Sequence, residues 1–209
     1  LLARQNRLRL EAEGVRDNAL AVSGLLTRTV GGPSVRPPQP PGISELTYAG
    51  SAKWVESLGP DRYRRGLYIW FQRTSPYPQL MTFDSSDGVV CTVKRDRSNT
   101  PLQALTLLND VVFVECAREL GIQLAEAKGN TAERIEAAFQ RCLARRPSEV
   151  EKARLELLHK ELLELARQAP TQSARLLAAR KSKADPVEAA AWIAFARTLL
   201  NLDEFITRE

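Results

Sequence analysis

Histidine occurs once, as His159, and cysteine three times, as Cys91, Cys116 and Cys142, in a chain of 209 residues. The cysteine spacings are wide, so there is no zinc pattern and no CxxCH pair for attaching haem. With one histidine beside no plausible nucleophile, a Ser/His/Asp set is excluded, and HExxH, P-loop and GxGxxG motifs are also missing. No metal site is expected. No apolar run approaches the roughly 20 residues needed to cross a membrane. The opening stretch, Leu1-Leu2-Ala3-Arg4-Gln5-Asn6-Arg7, has no apolar signal-peptide core and reads as mid-helix. The expectation is a C-terminal fragment of a larger multidomain protein.

What is present is globular in composition. Hydrophobic residues make up 44% and charged residues 26%, enough apolar content to bury a core and too much for global disorder. The net charge of +5 leaves nucleic acid, acidic glycan and anionic lipid open as partners. One domain over residues 1–209 is expected, with a helix over 1–28, a loop-rich aromatic segment over 29–99 and a helical part over 100–209.

Leu8, Ala12, Val15, Ala19, Val22 and Leu26 alternate in gaps of four and three, which puts them on one helical face. Arg4, Arg7, Arg9, Glu11, Glu13 and Arg16 fill the rest. Residues 31–42, Gly-Gly-Pro-Ser-Val-Arg-Pro-Pro-Gln-Pro-Pro-Gly, exclude regular structure. They read as a linker or, preferred because aromatics follow at once, as a loop packed against Trp and Tyr side chains. Residues 66–72 and 89–93 carry strand-like content, separated by turn signals. Four helix starts are then legible: Thr100-Pro101-Leu102-Gln103, Asn130-Thr131-Ala132-Glu133, Ser148-Glu149-Val150-Glu151 and Asp185-Pro186-Val187-Glu188. They predict helices over 101–127, 131–145, 149–168 and 186–201, with a shorter one near 172–181. The fold class is therefore mainly α, a helical bundle-like domain with one or two short β-strands in the aromatic segment. His159 stands beside a charged stripe on its helix and reads as a surface or boundary residue, whereas Ala189–Ala196 is apolar all round and reads as a central helix. Cys116 and Cys142 have apolar neighbours and are expected to be buried.

Two constellations could carry function. Arg62, Arg64, Arg65, Arg73, Lys94, Arg95 and Arg97 interleave with Tyr63, Tyr68, Trp70, Phe71, Tyr77 and Phe83. Arginine forks suit carboxylate, sulfate or phosphate, and aromatic faces suit bases or sugar rings. Asp61, Asp84, Asp87 and Asp96 sit among them, so internal pairing is the competing reading. The second constellation is Asn99, Thr100, Gln103, Asn109 and Asp110 along one helix, where a polar pair among apolar neighbours is either buried for structure or lines a site. Candidate binding residues are thus Arg65, Arg73, Asp84, Arg95, Arg97, Asn99, Gln103 and Asn109. Asp84 is also a candidate acid or base, although no partner carboxylate stands at a meaningful spacing.

Several stretches carry a resemblance: Arg16-Asp17 with Ala21-Val22-Ser23-Gly24, Gly31–Val35, Tyr63–Tyr68, Arg73-Thr74, Phe83-Asp84, Asn99–Leu105 with Leu108-Asn109-Asp110, Arg145-Arg146-Pro147 and Leu199–Phe205. Together they resemble the C-terminal part of a planctomycete-specific domain of unknown function that commonly follows a planctomycete-type cytochrome c domain. The resemblance implies an exported, cytochrome-linked protein whose c-type haem, where present, lies in an N-terminal region beyond these residues; that region would be a partner of this one. Joined to the basic cluster, it implies a binding or scaffold module, with anionic polysaccharide as the ligand. The alternatives are an enzyme, hydrolytic or redox, with a site near Asp84 and the Arg95–Asn109 turn, and a nucleic-acid-binding module, which export disfavours.

Overall fold

The computed structural model describes residues 8–40, 42–43, 53–178 and 180–208. They are mainly helical, with one two-stranded antiparallel sheet. The chain divides into two compact units. The first comprises the chain up to Ala21, Leu25–Val114 and the chain from Ile206, and the second comprises Val22–Gly24 and Glu115–Phe205.

α1 spans Ala12–Ser23 and buries Ala12, Val15, Ala19 and Val22, the face that the sequence spacing marks, together with Leu20 beside it. The helix is shorter than the expected 1–28, whose first seven residues lie outside those described. Leu8–Arg9 is strand β1, paired antiparallel with β2 at Thr207–Arg208, and Gly24 ends the helix at φ 77°. That left-handed backbone is the glycine stop of a helix C-terminus. Arg16, expected on the polar side, is fully buried and donates to the Arg62 carbonyl at 3.0 Å.

The strands expected at 66–72 and 89–93 do not form. Gly66–Tyr68 is a 3₁₀ turn, and beside it Ile69 makes an isolated parallel bridge to Val35. Residues 89–93 contain no strand, and Val89, Val90 and Val93 are exposed. Strand content in a sequence describes side chains that fit a sheet, and a sheet needs partners: residues 66–72 find only the single bridge to Val35, and no bridge forms at 89–93. The proline-rich loop does pack on aromatics. Pro37 and Pro38 are buried, Trp54 Nε1 donates to the Pro37 carbonyl at 2.7 Å, and the Tyr77 hydroxyl donates to Pro38 at 2.9 Å. Trp54 and Tyr77 stack with ring centroids 5.7 Å apart.

After α2 (Pro78–Thr82), α3 spans Pro101–Asn109 and α4 spans Val111–Glu126. The single helix expected over 101–127 is broken at Asp110, which has ψ 138° and accepts a hydrogen bond from Val112 N at 3.0 Å. An Asp side chain that caps the next backbone N–H competes with the helix, and here it restarts one.

The second unit is built around α8 (Pro186–Leu200), whose residues Ala189 to Ile193, Phe195, Ala196, Leu199 and Leu200 are buried, as its apolar sequence predicts. It packs against α5 (Thr131–Leu143), α6 (Glu149–Gln168) and α7 (Pro170–Leu177), and the short α9 (Asp203–Ile206) follows it. A Cβ on Gly121 of α4 would stand 2.5 Å from the Ile193 Cα, so glycine is what lets the two helices approach there. Cys116 and Cys142 are buried. His159 is not at the surface. It is 6% exposed on the inner face of α6, its ring 4.1 Å from Trp192 and 6.0 Å from Phe195. The charged stripe begins one helical step away, which is why the sequence suggests a boundary position.

Candidate functional site

Asp84 is held where few residues other than glycine rest, at φ 60°. What holds it is a set of donors from three parts of the first unit. Ser98 gives its backbone N–H at 2.8 Å and its hydroxyl at 2.8 Å, Arg9 gives NH2 at 2.5 Å, and Gln103 gives Nε2 at 3.5 Å. Gln103 is itself buried, and its Nε2 also donates to the Thr82 carbonyl and to the Ser98 hydroxyl, each at 3.0 Å. Its Oε1 meanwhile closes the capping box of α3 on the backbone of Thr100. Arg9 further donates to the carbonyls of Ser98 and Phe83 and lies 5.5 Å from the centre of the Phe83 ring. Burial raises the Asp84 pKa, but the Ser98 bonds, the Arg9 charge and Gln103 outweigh it, so the carboxyl lies below its ordinary value. A carboxylate with its lone pairs engaged in this way locks segments together and has little capacity left to move a proton.

A second group runs along α1. Arg95 forks onto Glu13 with contacts of 2.7 and 3.1 Å, and Arg97 reaches Glu11 at 2.7 Å. Arg65 Nε meets Asp17 at 3.0 Å, and the other oxygen of Asp17 accepts the Gly66 N–H at 2.6 Å. Gly66 has no room for a side chain, because a Cβ there would sit 2.9 Å from the Glu13 Cα. For Glu13, burial raises the pKa, but the Arg95 hydrogen bond, its own backbone N–H and the Arg95 charge outweigh it, so the net shift is downward. Arg65 and Arg95 thus face Asp17, Glu13 and Glu11 around a shallow cleft of about 450 Å³, whose lining is completed by Gly14 and Leu67.

The structure brings Arg65, Arg95 and Arg97 together along α1, and Asp84 with Gln103 beneath α3. It leaves Arg73, Asn99 and Asn109 apart, all exposed, with Asn109 Nδ2 donating to the Leu105 carbonyl at 3.0 Å. The partners of the arginines are not the nearby Asp61, Asp87 or Asp96 but Glu11, Glu13 and Asp17. The signal was there, as three carboxylates within seven positions at and just before the start of α1, but only folding supplies contacts across 48 to 86 residues. Arg9 and Ser98 were missed for the same reason. The interleaved aromatics are engaged within the unit: Arg64 lies 3.9 Å from the Tyr68 ring centre and Arg36 lies 4.6 Å from that of Trp70. Arg64 also ties down the Gly31–Pro33 turn through the carbonyls of Gly31 and Pro33. Among the described residues no cluster of His, Cys, Asp and Glu could hold a metal ion, and no helix is long and apolar enough to cross a membrane. Cys116 and Cys142 are buried thiols and Cys91 is exposed.

Sequence stretches far apart in the chain thus converge. Arg16-Asp17, Gly31–Val35, Tyr63–Tyr68, Phe83-Asp84 and Asn99–Leu105 share the first unit, and Arg145 meets Glu204 in the second at 2.6 Å. Among known proteins, a family model described as PSD1, protein of unknown function (DUF1553), matches residues 1–159. No curated protein and no solved structure matches the chain.

Proposed function

The chain belongs to the PSD1 family of proteins of unknown function, and from that premise we propose that it is a non-catalytic binding or scaffold module whose ligand-facing surface is the cleft along α1. The observation that carries the reading is the pairing of Arg65 and Arg95 with Asp17 and Glu13 around that open cleft, with Arg97 holding Glu11 beside it. Forks and carboxylates side by side can exchange their mutual bonds for the hydroxyls and carboxylates of a polysaccharide. Because the two signs balance, recognition rests on hydrogen bonds and not on a positive field, which also weighs against a nucleic-acid partner, whose binding is dominated by uncompensated cations. The saturated carboxylate of Asp84 favours a structural role over general acid–base work. The resemblance to cytochrome-linked domains supports placing the module in an exported protein, beside an N-terminal region that would be its intramolecular partner.

Calorimetric titration with uronate-containing, sulfated and neutral polysaccharides, at low and at physiological salt, tests this. Binding to the acidic glycans is expected to weaken in Arg95→Ala and Arg65→Ala, to change little in Arg73→Ala, and to depend shallowly on salt. No binding to any glycan at low salt would overturn the proposal.

A further inference from the structure

The outer face of α6 exposes large apolar residues together with charges of both signs. Val150, Leu157 and Leu165 are 63%, 57% and 60% exposed, although each is a residue that a helix normally turns inward. At 3.6 residues per turn they fall within about 80° of one another, in a stripe that runs roughly 22 Å along the axis. Arg154 and Glu161 lie in the same stripe, one turn to either side of Leu157, both exposed. Neither has an ion-pair partner among the described residues, whereas Glu164 is taken by Arg167 at 2.7 Å. The opposite face of the helix is already used: Leu155, Leu158 and Leu162 are half-buried, and His159 and Ala166 are buried.

We infer that this face binds a second copy of the chain, α6 against α6, antiparallel about a two-fold axis beside Leu157. In that register Val150 lies opposite Leu165 of the second copy, the two Leu157 side chains meet near the axis, and Arg154 faces Glu161 of the second copy. Each contact then occurs twice, as an isologous interface requires. A parallel pairing would set Arg154 against Arg154 and Glu161 against Glu161, so the charges choose the antiparallel one. A single helix face falls short of the roughly 1,200 Å² of a stable interface, and the dimer is accordingly a micromolar one.

Sedimentation velocity of the 209-residue chain over a rising concentration series tests the register. The mass is expected to climb from one chain towards two, and Leu157→Glu to hold it at one. Arg154→Glu and Glu161→Arg each place like charges opposite one another and should weaken association about tenfold, while the double reversal restores it. In a Cys91→Ser background, Leu157→Cys should crosslink on mild oxidation. All these positions are exposed, so circular dichroism is expected to be unchanged. A single-chain mass at every concentration, or a dimer indifferent to Leu157→Glu and to the charge reversals, would overturn the inference.

Discussion

At the scale of single residues, two titratable groups report on the packing. Asp84 has a folded-state pKa below its unfolded value, so its contribution is present above the unfolded pKa and is lost as pH falls through the folded one. Asp84→Asn keeps a residue that tolerates positive φ but leaves Arg9, 7% exposed at its side chain, without its counter-charge. A loss of about 2 kcal/mol in urea unfolding is expected at neutral pH, shrinking as the solution is taken towards pH 3. His159 shows the opposite chemistry. Burial lowers its pKa, the charge of Glu188 on α8 raises it and that of Arg134 on α5 lowers it, for a net downward shift. A base with a depressed pKa destabilises the fold where the unfolded chain takes up the proton first. Stability should therefore decline as pH drops below about 6.5, and His159→Phe should flatten that slope. An unchanged slope would mean that the ring is hydrated in solution.

At the scale of elements, the sequence announces helix starts better than helix ends. Thr100, Asn130 and Ser148 each form the reciprocal capping box that their sequences spell out. Ser148→Ala should cost about 1 kcal/mol in chemical denaturation, through loss of the bond to Glu151 N. The break at Asp110 was not legible, because a pattern of Leu, Val and Phe continues through it and one side chain decides the interruption. The expected strands failed for a related reason, as a strand's partner lies elsewhere in the chain. Helix contacts are also set by single positions. At Gly121 a methyl group would press into the Ile193 backbone, so Gly121→Ala should destabilise by about 3 kcal/mol despite the better helix propensity of alanine. A midpoint equal to that of the parent would show that α4 and α8 can shift apart.

At the scale of the whole molecule, charge is the property that sequence misjudges most. The net charge of +5 suggests a cationic surface, yet every candidate arginine but Arg73 stands against a carboxylate. Arg145 extends this to the second unit, where it joins Glu151 and Glu204 and lies 4.8 Å from the centre of the Phe139 ring. Hydrogen bonds from Arg145 and Ser148 push the Glu151 carboxyl down to about 2. Most of these pairs are partly exposed, so raising salt to 0.5 M should change stability by less than about 1 kcal/mol. Acid should matter more, because Glu13 and Asp84 both have lowered pKa values, whose contributions begin to fall below about pH 4 and are lost as pH drops through the folded-state values. A midpoint that holds from pH 5 to pH 3 would show these pairs to be energetically idle.

Local order was written in the sequence: the mainly helical class, the capped starts and the apolar run of α8. Each follows from periodicity or from backbone chemistry that acts over a few residues. What only the tertiary structure decided is which distant side chains meet: Arg9 with Asp84 and Ser98, Arg95 with Glu13, Asp17 with Arg65, His159 with Trp192. Pairing across so many residues depends on how the elements pack together, and a linear chain does not display it. The candidate site belongs wholly to that second kind, since residues that looked like a free basic cluster became, once packed, half of a balanced ion-pair surface.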